Sequence, residues 1–294
     1  MKLRIGTRRS RLALAQAGEV AERLARVGVE SEVVPMTTSG DRGAPAATSP
    51  AGVKGLFVAE IVRALQAGQV DLAVHSAKDL PAADDEGVAV AAVPPRADPS
   101  DLLVTRDPTL RGGAMVGTSS LRRRAQLLAL RPELRLVEIR GNVDRRLRKL
   151  EDGEVDGVVL AAAGIARLGA TPPSSEVLPI VPAPGQGCLA VQARADDQAT
   201  REAVGWLDDP DSRMAFEAER SVMARLGGGC ALPLGALAIV TGDSVRLVAL
   251  VATPDGSRII RAEAEAATPE GAAEAASAEL LAGGAREILA QVRP

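Results

Sequence analysis

The chain has 294 residues, of which 46% are hydrophobic, so it is long enough for two or three domains with buried cores, and global disorder is excluded. Its formal net charge is -3, which argues against broad electrostatic attraction to a polyanion. Aromatic residues make up only 1%, with no tyrosine, so the stacking platforms of proteins that bind single-stranded nucleic acid are missing, and we expect no nucleic-acid partner.

The sequence shows neither a run of about 18 apolar residues nor a signal-peptide pattern, so we expect a cytoplasmic protein that does not enter a membrane. Two cysteines, Cys188 and Cys230, are too few for a four-ligand zinc site. In a reducing compartment we expect no disulfide between them. We further expect a monomer with no bound metal.

The first hundred residues alternate short aliphatic runs with helical patterns, which predicts a β-α-β arrangement. Strands are predicted at 3–5, 33–36, 72–75 and 88–93. The first helix is predicted to bury one apolar face, made of Ala13, Ala17, Val20, Leu24 and Val27. The segment 94–99 is bounded by prolines, which predicts a hinge.

Beyond the hinge the same pattern starts again, with strands predicted near 102–105, 115–117, 134–139 and 158–161. A strand that ends in Gly-Thr leads into a basic helix start in each half, at Thr7 and again at Thr118. GQVDLAV and GEVDGVV then follow in the same order. The sequence therefore predicts two duplicated α/β lobes of the periplasmic-binding-protein type, with a central cleft that suits an anion at the carboxyl ends of the strands.

A helix after residue 211 runs into a glycine stretch and Cys230, and three strands and two helices follow it. This pattern predicts a small α+β C-terminal domain. We expect lobe 1 to comprise residues 1–94 and 188–206, lobe 2 to comprise 99–182, and the C-terminal domain to comprise 210–294.

Arginines cluster at three predicted strand ends, around Arg8, Arg122 and Arg140. A solvated basic face explains any single arginine, and a genome-wide arginine bias explains their number. Three clusters at matched positions favour a ligand with several carboxylates or phosphates, because guanidinium groups bind such oxygens in pairs.

The segment VHSAKDLP breaks a buried strand into polar residues at a predicted carboxyl edge. Asp79 in this segment is either a helix cap and salt-bridge partner of Lys78 or a catalytic carboxylate that faces the cleft. The single histidine, His75, is interpreted as structural.

Cys230 follows three glycines, which is an accessible position for a reactive thiol. Cys188 leads into an apolar strand, so packing is its expected role.

Several long motifs resemble the porphobilinogen deaminase family, and the resemblance spans nearly the whole chain. They are GTRRSRLALAQ, KGLFVAEIVRALQAGQVDLAVHSAKDLP, VGTSSLRRRAQLLALRPELRLVEIRGNVDRRLRKL, PGQG and GGGCALPLG. The resemblance implies an enzyme that condenses four porphobilinogen molecules head to tail into hydroxymethylbilane and releases ammonia. The primer that it implies is a dipyrromethane cofactor, held by a thioether to Cys230.

The resemblance also implies a role for each site residue. Asp79 is the catalytic carboxylate. The cofactor binders, besides Cys230, are Lys78, Ser10, Arg122, Arg123, Arg140 and Arg146. The substrate binders are Arg8, Arg167, Lys54, Phe57 and Gln186.

Two other classes of function remain open from the residues alone. A non-catalytic anion sensor would explain the cleft and the arginines, but it leaves Cys230 and the third domain without a purpose. A thiol redox enzyme would use the cysteines, but the sequence has no C-x-x-C motif.

Overall fold

The computed structural model describes residues 2–36, 52–227 and 232–292, and the side chains of residues 52–57 lie outside that description. The strands are Lys2–Arg8 (β1), Glu30–Met36 (β2), Leu72–Ser76 (β3), Val88–Ala92 (β4), Asp101–Thr105 (β5), Met115–Gly117 (β6), Arg135–Val137 (β7), Gly157–Ala161 (β8), Ser174–Leu178 (β9), Leu189–Arg194 (β10), Leu234–Thr241 (β11), Ser244–Ala252 (β12) and Ile259–Ala266 (β13). The helices are Arg11–Arg26 (α1), Gly52–Gln66 (α2), Leu121–Leu130 (α3), Val143–Glu151 (α4), Ala162–Arg167 (α5), Gln198–Gly205 (α6), Pro210–Arg225 (α7), Pro269–Ala282 (α8) and Ala285–Val292 (α9).

The strands of the described residues form two five-stranded sheets with the same topology. Lobe 1 is built on the order β2-β1-β3-β10-β4, and lobe 2 on the order β7-β6-β8-β5-β9. In each sheet the first three strands in the order pair in parallel, and the fourth, β10 or β5, is antiparallel to both of its neighbours. The expected α/β class with two related lobes is confirmed.

In each lobe the antiparallel strand is the first strand after the chain has crossed over from the other lobe. β5 comes directly after the proline-bounded segment 94–99, and β10 returns to lobe 1 after the last strand of lobe 2. The two lobes are therefore joined by two crossing segments, and the parallel strands of both end toward the region between them. The domain boundaries expected from the sequence stay a prediction.

The third unit is a three-stranded antiparallel sheet, β11-β12-β13, packed against α7, α8 and α9. Its core is rich in alanine, including the fully buried Ala218, Ala249 and Ala276. Small side chains let the helices approach the sheet closely, as expected for a chain with so few aromatic residues. The small α+β C-terminal domain is confirmed.

Helix α1 buries the predicted apolar face with one exception. Ala13, Ala17, Val20 and Leu24 are buried, whereas Val27 is 49% exposed. The reason is that α1 ends at Arg26 and Val27 is the capping residue, so the helical period no longer places its side chain on the core. In the part of the chain that the structure describes, no helix combines the length and apolar character needed to cross a bilayer.

Candidate active site

One cavity lies between the lobes and is lined from both of them. Lobe 1 contributes residues at or just after the ends of β1 and β3, including Arg8, Ser10 and Asp79. Lobe 2 contributes residues that follow β6 and β8, including Arg122 and Arg167. The carboxyl ends of parallel strands thus meet at a common cleft, where the sequence predicted an anion site.

Two helices begin at this cavity with matching serine caps. The Ser10 hydroxyl accepts a hydrogen bond from the Ala13 backbone N–H (3.2 Å) at the start of α1. The Ser120 hydroxyl accepts from the Arg123 N–H (3.4 Å) at the start of α3. Each cap leaves other first-turn N–H groups without an intrahelical acceptor, so both helix starts add partial positive charge to the cleft.

The charge of the lining is strongly one-sided. Among the described residues that line the cavity, Asp79 is the single carboxylate. Six cationic side chains line the same cavity, namely Arg8, Lys78, Arg122, Arg123, Arg146 and Arg167. Such a lining attracts a ligand that carries several negative charges.

Two of these arginines are held by a carboxylate behind the cavity wall. Arg122 Nη1 donates to Asp101 Oδ2 (2.7 Å), and Arg123 donates to Asp101 Oδ1 through Nη2 (2.6 Å) and Nε (2.9 Å). Asp101 is fully buried, which alone would raise its pKa, but Arg123 and Arg122 together hold the pKa of this carboxyl far below its ordinary value. The carboxylate therefore stays ionised and balances one of the two positive charges.

Gln186 joins residues from both sides of the cleft. Its Oε1 accepts from Lys78 Nζ (3.2 Å), and its Nε2 donates to Asp101 Oδ1 (2.9 Å) and to the Pro99 carbonyl (2.7 Å). Gln186 lines the cavity but is only 1% exposed, so most of its hydrogen-bonding capacity is used within the protein.

Arg146 lines the cavity without an ion pair to any carboxylate that the structure describes. Its Nε donates to the Gly141 carbonyl (2.9 Å) and its Nη2 to the Ser119 hydroxyl (3.3 Å), and no carboxylate pairs with it among the residues described. Burial and the neighbouring Arg123 lower the pKa of Arg146 to about 10. Arg146 remains charged at neutral pH, and an anionic ligand would relieve the cost of that charge.

Arg167 bridges the two lobes. Its Nε donates to Glu19 Oε2 on α1 (2.9 Å), and its Nη1 donates to the Gly187 carbonyl (3.2 Å). Arg167, which the sequence analysis assigned to substrate binding, is therefore already paired with Glu19, a carboxylate of the protein itself.

The structure does not bring every predicted residue into the cavity. Arg140 is exposed, pairs with Glu138 (2.7 Å) and is not part of the lining. Lys54 and Phe57 belong to α2, but their side chains lie outside the described part of the structure, as does the whole of Cys230. Their assigned roles stay predictions.

Asp79 and His75 lie together at the end of β3. Asp79 closes a single 3₁₀ turn, Ala77–Asp79, and is half-buried. His75 is buried at the cavity, and its Nε2 makes no hydrogen bond with the residues that the structure describes. Burial is the main reason that the pKa of His75 falls to about 4, with Asp79 opposing the shift and Arg8 adding to it. The imidazole is therefore neutral across the physiological range.

This pKa predicts how acidification affects stability. Because the unfolded chain binds a proton at His75 near pH 6.5 and the folded chain only near pH 4, stability is lost as the pH falls through this interval. Between pH 7 and pH 5 the loss from this residue should be about 2 kcal/mol. Urea unfolding of wild type and His75→Gln at both pH values measures it, since contributions common to both proteins cancel. Equal pH dependence in the two proteins would show that His75 has an ordinary pKa.

Sequence reasoning missed Asp101 and Glu19, which hold three of the cavity's arginines. Asp101 directly precedes the apolar strand predicted at 102–105, but only the antiparallel direction of β5, which the sequence does not show, brings it to the edge with the arginine clusters. Glu19 lies on a regular helix among other polar residues, and nothing in the pattern distinguishes it.

Comparison with known families was consistent along the whole chain. A family model described as "Porphobilinogen deaminase, dipyromethane cofactor binding domain" matches residues 3–202, and one described as "Porphobilinogen deaminase, C-terminal domain" matches residues 214–282. The porphobilinogen deaminase of Roseiflexus castenholzii is 46% identical, with 98% of each chain covered. That of Acidithiobacillus ferrooxidans is 47% identical, with 99% of this chain and 98% of the relative covered. The methionine-binding protein MetQ is a distant structural likeness, with a TM-score of 0.45 and 14% identity over 72% of this chain and 91% of that chain.

Proposed function

The chain belongs to the porphobilinogen deaminase family, the hydroxymethylbilane synthases, and on that premise we propose that it condenses porphobilinogen units head to tail on a dipyrromethane bound to Cys230. Ammonia is released at each addition and hydroxymethylbilane at the end. The observation that carries the proposal is the cavity lining, with six cationic side chains and one carboxylate among the described residues.

This lining fits the cofactor and the substrate. Each pyrrole unit carries an acetate and a propionate, so a chain of several units gathers negative charge that a neutral pocket would not tolerate. Arg146, half-buried beside Arg123 and without a carboxylate partner among the described residues, is suited to such a ligand. When bound, the dipyrromethane supplies the free pyrrole α-carbon on which the chain grows.

We propose that Asp79 acts at the reacting pyrrole. Loss of ammonia from the aminomethyl group leaves a positively charged pyrrole with an electron-poor methylene carbon. A carboxylate near the ring nitrogen stabilises that charge, and in a cavity that excludes bulk water its effect is larger than in solution. Asp79, on a short turn after a buried strand, is the lining carboxylate that can fill this role.

The remaining assignments concern binding of the cofactor and of the substrate chain. Lys78, Ser10, Arg122, Arg123, Arg140 and Arg146 are proposed to bind the cofactor. Arg8, Arg167, Lys54, Phe57 and Gln186 are proposed to bind the substrate chain. Acetate and propionate oxygens require hydrogen-bond donors. In the cavity these are the hydroxyl groups of serines and the N–H groups of arginines.

We propose that the enzyme works as a monomer in the cytoplasm. The buried Cys188 thiol is free, which is the expected state of a structural cysteine in a reducing compartment.

The test of the proposed function is turnover of porphobilinogen by the purified chain, followed as ammonia release and hydroxymethylbilane formation. Arg146→Gln should raise the KM for porphobilinogen about tenfold or more, because a charge-assisted hydrogen bond to a ligand carboxylate is lost. Arg148→Gln is the matched control, since Arg148 lies on the same helix, is 67% exposed and pairs weakly with Asp144 at 3.6 Å.

The two outcomes separate the alternatives. A wild-type chain that binds porphobilinogen without releasing ammonia would instead be a non-catalytic anion sensor. Equal KM values for the Arg146 and Arg148 variants would remove Arg146 from the binding site.

A further inference from the structure

Asp101 lies behind the cavity and has no part in the chemistry proposed above. It is the first residue of β5, where it pairs with Ala161 at the carboxyl end of β8, and its side chain is 0% exposed. A buried carboxylate persists only where hydrogen bonds and opposite charges replace its lost hydration. Its partners therefore indicate what it is for.

The two arginines that contact Asp101 differ in how many of their side-chain nitrogens donate hydrogen bonds within the protein. Every side-chain nitrogen of Arg123 has an acceptor within the protein, because Nε and Nη2 donate to Asp101 and Nη1 donates to the Val159 carbonyl (2.9 Å). Arg122 uses only Nη1, which donates to Asp101 and to the Val181 carbonyl (2.7 Å). Its Nε and Nη2 have no acceptor among the residues described. Asp101 thus fixes both guanidinium planes and leaves one edge of Arg122 for a ligand.

Gln186 extends this arrangement to the other lobe. Its amide donates to Asp101 and accepts from Lys78, the neighbour of Asp79 in the 3₁₀ turn. A single buried side chain therefore connects a cation of lobe 1 to the arginine pair of lobe 2. Its second donor contact, to the Pro99 carbonyl, ties it to the crossing segment between the lobes.

We infer that Asp101 and Gln186 are positioning residues that set the separation and orientation of Lys78 and the Arg122–Arg123 pair, so that these cations meet two carboxylates of one pyrrole chain. The inference rests on the proposed function for the identity of the ligand. Neither residue needs to touch the reacting atoms, because each acts through the cations that it holds. For Gln186 this replaces direct substrate binding with an indirect role.

The first test is Gln186→Met, which keeps the side-chain length and removes both bridging hydrogen bonds. The KM for porphobilinogen should rise about tenfold while kcat changes less than about threefold, because the binding cations lose their alignment but Asp79 remains. Gln192→Met is the matched control, since Gln192 is also 1% exposed but donates to Asp84 and does not line the cavity. Its KM should equal that of wild type.

The second test measures hydrogen exchange at an arginine side chain, so it does not depend on turnover. The Arg123 Nε–H is buried against Asp101, so its hydrogen exchange, followed by ¹⁵N NMR, should be slow in wild type. Exchange should be at least about tenfold faster in Asp101→Asn and measurably faster in Gln186→Met. Asp101→Glu, which keeps the charge but lengthens the arm, should recover part of the protection.

The results distinguish this inference from the proposed function. If wild type does not consume porphobilinogen, the proposed function fails, and the exchange rates still decide whether Asp101 and Gln186 position the arginines. If Asp101→Asn does not fold, Gln186→Met decides alone. Wild-type KM and wild-type exchange in Gln186→Met would overturn the inference.

Discussion

Cys230→Ser protein is expected to carry no dipyrromethane and to show no turnover of porphobilinogen. A thioether forms through the thiolate, and a serine hydroxyl at neutral pH supplies almost none of the corresponding anion. Cys230 follows Gly227, Gly228 and Gly229 in the sequence, so the residues that precede it along the chain add no side-chain bulk. The measurement is the intact mass of the denatured protein, which for wild type should exceed the sequence mass by one dipyrromethane.

Cys188→Ser is the matched control and should keep the added mass. Cys188 is 1% exposed, and burial, the largest influence on this group, raises the pKa of its thiol to about 12. A thiol in that setting is protonated and does not react. A fully active wild-type protein with no added mass would show that the cofactor is not covalently bound to this chain.

The regular parts of the fold followed from local pattern. The helical period of α1 and the aliphatic run of β3 each carry a strong signal, because one face or both faces of the element are buried. β9 was missed, since four of its five residues are at least partly exposed and Ser174, Ser175 and Glu176 are polar. Helix α6 was missed because its eight residues bury only Thr200 and Val204.

The sequence predicted where the candidate site lies, but it did not predict the hydrogen bonds and ion pairs that hold its arginines. The Gly-Thr strand ends at Thr7 and Thr118 predicted the position of the cleft, and the arginine clusters predicted that its lining is positively charged. The contacts between Asp101 and the two arginines, and between Glu19 and Arg167, span 21 or more positions along the chain. The Asp101 contacts depend on the placement of β5 in the sheet of lobe 2, and the Glu19–Arg167 contact depends on α1 of lobe 1 lying against α5 of lobe 2. No local period encodes either arrangement.

Asp79→Asn is expected to fold like wild type and to lower turnover by about 10²- to 10³-fold. Asparagine keeps the size of the side chain and one acceptor oxygen but loses the charge that balances the developing cation. Asp79 is the single carboxylate among the described lining residues, so no neighbour in that set can replace it. Asp85→Asn is the control, because it removes the same charge from an exposed position outside the cavity and should leave turnover unchanged.

The measurement must separate chemistry from cofactor loading. Asp79→Asn should be supplied with preformed tetrapyrrole chain, matched to wild type in bound cofactor by intact mass, and followed in single-turnover formation of enzyme-bound pyrrole adducts. Asp79→Glu should retain more activity than Asp79→Asn, since it keeps the negative charge and displaces it by about one methylene, and charge is the property that the reaction requires. Wild-type rates in Asp79→Asn at equal cofactor content would reduce Asp79 to a structural residue of the 3₁₀ turn and assign the stabilisation of the cation to another group.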